Sequence, residues 1–547
     1  MRGKGNIFQK VKLTKPRRST HDLSYDNKLT LNFGDLVPVY CEDVVPGDSF
    51  RVSSEFFVRF MPMVAPIMHS VNVHMHYFYV PYRLCWRPFN DWIKDYANAA
   101  APTVQRLRLN DALSYADPSQ TGVGSLWDYL GLPPLSGSDY GTQSILPFRF
   151  TAYQLIYNEY YRDQNLADEI LLPVDDNGII DSSYVEDLLT VRKRAWEKDY
   201  FTSALPWPQR GADVHLPLTG DAPVSGTASI SGLTDLSRVD NEDMAQSMDN
   251  VQYVRNTDPH YAHLEDGVGN SVQIGGSLAS IRGSEGPIGL KADMSQVTAA
   301  TINDLRKANA LQRWFEMSAR AGNRVKEFFL SNFGTAPADL RIDRPEYLGG
   351  GKQPVVIQDI DQTSSSDSTS PQANMAGKAG ASGSTPSFTK HFTEHGVIIG
   401  IMSITPRSSY QDGMPRCFTK FDQLDYFFPI FQHLGEQEIK NSEIFFSENL
   451  SENVGTFGYT PRYAEYKYHG SEIHGDFRSS LDFWHLGRKF ASIPPLSKEF
   501  VEVNPEYDEL NRIFANTDSI DAHLIAEVFN SVRAIRPMDY YSIPSLI

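Results

Sequence analysis

The sequence predicts a mainly β protein built on an antiparallel β-sandwich, and three observations carry that prediction. From Phe50 to Phe60 the chain alternates: Phe50, Val52, Ser54, Phe56, Val58 and Phe60 form one set, and Arg51, Ser53, Glu55, Phe57 and Arg59 the other. After the link Met61 to Pro66 the alternation resumes. Ile67, Val71, Val73, Met75, Tyr77 and Tyr79 share one side, with His69 as the odd member, and Ser70, Asn72, His74 and His76 share the other. Side chains on a strand alternate between faces, so each stretch describes a long strand with one oily and one wetter side. A parallel sheet buried on both faces would give unbroken apolar runs instead. Third, a sandwich of about eight strands of about six residues uses only a small part of such a chain. With 547 residues, 38 Gly and 33 Pro, the remainder must be loops, short helices and insertions hung on the sheets.

The other elements follow in chain order. Residues 1–30 read as a basic arm, and residues 31–547 as one domain with long insertions. Within the arm, Arg2, Lys4, Lys10, Lys12, Lys15, Arg17 and Arg18 occur with no acid among the first eighteen residues. Such a segment is either a solvated tail or a device that neutralises phosphates, which needs clustered charge and no fixed fold. Asp35 to Tyr40 gives a short strand, and Val45-Pro46-Gly47-Asp48 a turn into the Phe50 strand. The segment from Arg87 to Ala100 reads as a helix with Pro88 in its first turn. Thr151 suits the cap of a second helix, with Ala152, Leu155, Ile156, Glu159 and Tyr160 on one side. Tyr200 to Pro217, aromatic and Pro-rich, reads as an extended ordered loop.

From about Gly220 to Ala300 the composition shifts to Gly, Ser, Thr, Asp and Asn, with too few large apolar residues to bury much core. We read 218–300 as a surface insertion rather than a linker, because β-like pieces such as Ser271 to Ile274 interrupt it. Thr301 then caps a helix in which Ile302, Leu305, Ala308, Leu311, Trp314, Phe315 and Ser318 recur at helical spacing, a stripe suited to packing under the sheet. A further helical segment is predicted over 324–332. Residues 361–387 are low-complexity and read as a flexible loop. Gly396 to Thr405 reads as a buried strand, and Cys417 to Gly487 is dense in aromatic residues, better suited to packing subunits together than to stacking bases.

The chemistry of catalysis is not legible. His74-x-His76 sets two imidazoles on one strand face, as in a cupin metal site, but no acid follows to complete a ligand set. His391-Phe392-Thr393-Glu394-His395 matches a zinc-protease pattern that requires a helix, whereas Gly396 and a β-branched strand follow at once. Gly122-x-Gly124 and Gly349-Gly350-Gly351 lack the strand-to-helix setting and lysine of a phosphate loop. No cofactor, metal or catalytic residue is therefore predicted. The net charge of -17 disfavours a general nucleic-acid binder outside the arm. Cys41, Cys85 and Cys417 form neither a ligand motif nor a disulfide framework, which suits a reducing compartment. The apolar run near Val397 is too short to span a bilayer.

Several blocks together resemble one family, the major capsid proteins of the Microviridae, small single-stranded DNA bacteriophages, in particular the gokushovirus-like branch. They include GDLVPVYCEDVVPGDSF from Gly34, RFMPMVAPIMHS from Arg59, YFYVPYRLCW from Tyr77, IYNEYYRD from Ile156, DYFTSALPWPQRG from Asp199, NFGTAPADLRIDRPEYLGG from Asn332 and FGYTPRYAEY from Phe457. They occur in this order over nearly the whole chain.

The resemblance implies a viral jelly-roll, an eight-stranded antiparallel sandwich whose long loops form most of a shell surface. It implies self-assembly into a T=1 icosahedral shell around circular single-stranded DNA, helped by a small basic DNA-binding protein, with assembly in the bacterial host cytoplasm and residence in the virion. It further implies that 218–300 projects outward, where contact with a host receptor would occur, and that the basic arm lies inside against the genome. Two rival readings make different predictions. A cupin-type metalloenzyme using His74 and His76 would hold metal in a small oligomer. A carbohydrate-binding β-sandwich would be displayed on a larger protein.

Overall fold

The alternating stretch around Phe50 becomes the central strand of one sheet in the computed structural model. The structure describes residues 17–94, 102–211, 224–225, 252–255, 261–265, 271–275, 291–292, 302–320, 344–361, 375–515 and 522–541. Two principal antiparallel sheets are made by β1 (Ser19–Asp22), β2 (Tyr25–Leu31), β3 (Val37–Val44), β4 (Ser49–Phe60), β5 (Val71–Pro81), β6 (Glu346–Pro354), β7 (Val356–Asp361), β8 (Met375–Ser384), β9 (Phe388–His391), β10 (Gly396–Pro406) and β11 (Leu524–Arg536). The first sheet runs β1-β11-β4-β8-β7, with β2 also on β11 and β9 also on β4. The second runs β6-β5-β10-β3.

One apolar core joins the inner faces of both sheets. Phe50, Val52, Phe56, Val58 and Phe60 of β4 meet Val71, Val73, Met75, Tyr77 and Tyr79 of β5, together with alternate residues of β10 and β11. The one polar member of the β4 inner set, Ser54, is fully buried and is satisfied there. Its hydroxyl donates to Asn530 Oδ1 at 2.6 Å and accepts from Tyr77, while the Asn530 amide donates to the Val39 carbonyl at 3.1 Å. That chain of bonds ties the two sheets together across the core.

A second core lies on the far side of the four-stranded sheet. Phe78 and Val80 of β5 and Val397, Ile399 and Ile401 of β10 pack there against Trp86, Trp127 and the residues of α2 (Phe148–Ile156) and α3 (Val185–Leu189). In this numbering α1 is the short helix Phe89–Lys94. The wetter side predicted for the Val71–Tyr79 strand is therefore corrected: His74 is buried and His76 half-buried beneath this layer.

Other expectations shift with the tertiary setting. The strand expected over 35–40 runs Val37–Val44. The Val45–Asp48 turn forms, with Gly47 at φ +94 and the Asp48 amide donating to the Val45 carbonyl at 3.0 Å. Thr151 does not cap α2, which begins at Phe148; its hydroxyl instead donates back to the Pro147 carbonyl at 3.2 Å, a bond a threonine inside a helix can make. The reading of 361–387 as a flexible loop fails over 375–384. There β8 pairs with both β4 and β7, and its small residues Ala379 and Ala381 point into the core. Gly377 is required by close approach, since a Cβ would stand 2.3 Å from the Ala65 carbonyl oxygen. Residues 362–374 lie outside the described set.

Contact density separates residues 213–313 from the remainder of the chain as a second compact unit. Within it, Gln252–Arg255, Tyr261–Glu265 and Ser271–Gly275 form a three-stranded antiparallel sheet, so the β-like piece read at Ser271 is a strand. The helix predicted after Thr301 is α4 (Ile302–Arg320), on which Leu305, Leu311 and Trp314 are 52%, 40% and 42% exposed. The segment predicted as helical over 324–332 lies outside the described residues.

Candidate functional site

The basic arm joins the fold at the corner where β4 begins. Arg2, Lys4, Lys10, Lys12 and Lys15 lie outside the described residues; Arg17 and Arg18 are described and exposed. The Arg18 guanidinium donates to the Gly47 carbonyl and, at 3.3 Å, to the Ser49 hydroxyl. Beside it Arg536 bonds Glu42 at 3.1 Å and lies over the Phe50 ring. From Ser19 the chain pairs with the end of β11, Ser19 opposite Arg536. The arm is thus delivered onto the seven-stranded sheet.

The outer face of that sheet carries residues that the arm-centred reading missed. Arg51 lies directly opposite Arg533 in the β4–β11 register, and Arg59 opposite Ile525. Neither Arg51 nor Arg59 has an ion-pair partner among the described residues, and Arg59 lies over the exposed Phe57 ring. Like charges facing each other across a ladder destabilise it, so the Arg51–Arg533 pair favours a neighbouring anion. Asp22 is that anion within the chain, aligned with Arg533 from β1; its carboxyl is held low by Ser24 hydrogen bonds and by Arg533. Glu55 and Glu527 share the face, so its charge is mixed. Arg51 and Arg59 are visible in the β4 alternation, whereas the approach of Arg533 depends on a pairing across the chain.

The histidines of β5 serve packing. His74 lies 3.2 Å from the Thr405 hydroxyl, and burial together with the Arg194 charge pushes its pKa down to about 3. His76 is bonded to the Tyr161 hydroxyl at 2.9 Å, sits among the rings of Phe78, Tyr161 and Tyr347, and is pushed down to about 4 by the same two causes. The HFTEH motif is not on a helix. His391 ends β9 bonded to Ser49, Phe392 is core, and Glu394 pairs with Arg83 at 2.7 Å. Among the described residues no group of three or more His, Cys, Asp or Glu is placed to hold a metal ion. Gly349–Gly351 lie in β6 at a register shift opposite β5, with Gly350 too close to the Met75 carbonyl to admit a side chain. An open groove of about 760 Å³ where β2 and β3 part is lined by Tyr25, Tyr40, Cys41, Phe57, Arg59 and Arg149, and burial pushes the Cys41 thiol up to about 12, away from a reactive thiolate.

A family model described as "Capsid protein (F protein)" matches residues 9–546. The chain is 35% identical over 602 aligned positions to the capsid protein VP1 of Chlamydia phage 1, covering 99% of this chain and 98% of that one. It is 34% identical to the capsid protein VP1 of Bdellovibrio phage phiMH2K, with 98% and 97% covered. With the capsid protein VP1 of Spiroplasma virus 4 it shares 29% identity, over 99% and 96% of the two chains.

Proposed function

The chain belongs to the capsid protein (F protein) family and is a structural protein of a bacteriophage virion, and from that premise we propose that it assembles with copies of itself into a T=1 icosahedral shell around a circular single-stranded DNA genome. The observation that carries this reading is the end-to-end likeness, at 35% identity, to a protein named for its place in a capsid. The reading is of a structural subunit that turns over no substrate.

Strand order supports a jelly-roll. Taken in chain order, β2, β3, β4, β5, β6, β8, β10 and β11 are eight strands. One sheet then runs first–eighth–third–sixth and the other second–seventh–fourth–fifth. Two interlocked Greek keys of this kind give the double-sheet jelly-roll, a shell-building unit because its long connections emerge at the ends while the sheets stay rigid. The arm up to Arg18 and the seven-stranded face it enters would meet the genome, with a small basic packaging protein supplying further positive charge; residues 19–30, read from the sequence as arm, instead carry β1 and most of β2, which pair with β11. The 218–300 insertion would project outward toward a host receptor, and assembly would take place in the bacterial cytoplasm.

The test is to express the full chain, examine it by sedimentation and electron microscopy, and then replace Lys10, Lys12, Lys15, Arg17 and Arg18 with Gln. Closed particles with reduced packaged DNA are expected of the variant, because phosphate neutralisation scales with the number of cations. Particles with normal genome content would remove the arm from the genome-binding role.

A further inference from the structure

We infer that the aromatic loop 416–434 is a preformed contact by which one copy of this chain binds another; this rests on the shell reading above. The loop is built inside out. Phe421 is 90% exposed, Ile430 79%, Phe418 70%, Leu434 57%, Tyr426 52% and Phe428 49%. With roughly 200 Å² for each large side chain, these six leave on the order of 800 Å² of mostly apolar surface. That exceeds the patch a soluble monomer ordinarily shows and matches the roughly 800 Å² per partner of a stable protein interface.

The polar side of the loop is what faces the protein. Arg416, at one end, bonds Glu443 at 3.0 Å and the Glu438 carbonyl at 2.7 Å. Lys420 pairs with Glu465 at 3.2 Å and lies 3.8 Å from the centre of the Tyr466 ring. The Tyr463 hydroxyl donates to the carbonyls of Leu424 and Tyr426, at 3.1 Å each, and the Asp422 carboxylate caps the short turn Gln423–Asp425. A loop that turns its cations inward and its rings outward is fixed for contact before the partner arrives, which lowers the ordering cost of association.

The same network selects the partner. Side chains of Arg416 and Lys420 are only 11% and 7% exposed and are committed to carboxylates. Neither of these cations is left for phosphates, while Asp422 is exposed and Asp425 faces Arg416 at 3.9 Å. Stacking on nucleic acid needs both a ring and a backbone-tracking charge. A second copy of the chain needs only the rings.

The test compares hydroxyl-radical labelling of wild-type particles, of particles emptied of DNA, and of dissociated subunits. At least fivefold protection of Phe421, Phe428 and Ile430 is expected in both kinds of particle relative to subunits. Equal labelling in particles and subunits would overturn the inference, as would protection confined to DNA-filled particles. In parallel, Phe421→Asp with Ile430→Asp is expected to leave the subunit's melting unchanged and to lower the particle yield at least tenfold. Particles at wild-type yield would sink the loop while leaving the shell reading standing. Failure of the unmodified chain to form closed particles would overturn the shell reading and this inference with it.

Discussion

The two sheets of the sandwich differ in what covers their outer faces, and the difference separates two kinds of sequence constraint. On β4 of the seven-stranded sheet every second residue from Phe50 to Phe60 is buried, while Arg51, Glu55, Phe57 and Arg59 are exposed. On β10 of the four-stranded sheet all eleven residues are buried, because one side meets the opposing sheet and the other a helical layer. An open face needs only compatibility with its surroundings; a covered face must also fit.

Substitutions that probe the two faces sharpen the contrast. The largest effect is expected from Ile399→Ala, which empties a fully buried site between β10 and the helical layer. About 3–4 kcal/mol should be lost, measured by urea unfolding of the isolated subunit. A loss below about 1 kcal/mol would mean that the helical layer is not packed as described. Acid comes next. His74 and His76 are held neutral in the fold, their pKa values lowered from 6.5 to about 3 and about 4. A lowered histidine contributes its stability above pH 6.5 and loses it as pH falls through the folded value. Between pH 6.5 and 4.5, roughly 2–3 kcal/mol should vanish through His74 and less through half-buried His76. His76→Phe should flatten that slope, and an unchanged slope in a melting series across this range would contradict the assignment.

Ser54→Ala tests the bond network between the sheets. It leaves Asn530 Oδ1 without its 2.6 Å donor and should cost about 2 kcal/mol in the same unfolding experiment. The smallest change is expected at the open face. Phe57→Thr, on a residue 46% exposed, should stay within about 0.5 kcal/mol in the subunit. A large loss there would place that face under cover.

Legibility followed the same division. The β4 strand could be read to within a residue because its alternation is imposed by one buried and one open side. The β10 strand was legible by its apolar run. β8 was not, since Gly377, Ala379 and Ala381 announce no hydrophobic alternation; they are small because the Ala65 backbone and β4 crowd them. The α4 stripe had helical spacing without a described cover. Spacing states which side chains share a face and says nothing about what lies opposite.

For the candidate surfaces, the residues were visible and their arrangement was not. The arm's charge, the Arg51 and Arg59 alternation and the aromatic density after Cys417 all stand in the sequence. That Arg51 faces Arg533, and that Arg416 and Lys420 turn inward so that Phe421 and Ile430 turn out, depends on partners far apart in the chain.

By itself the sequence determined the antiparallel strands, the family and the polar composition of 218–300, because periodicity and motif order are local properties of a chain. Tertiary structure alone decided that β5 is covered on both sides, that Ser54 finds its buried partners in Asn530 and Tyr77, and that the aromatic loop presents its rings to solvent. Each of those depends on which distant groups meet, and burial, hydrogen bonding and charge pairing act through distance in space.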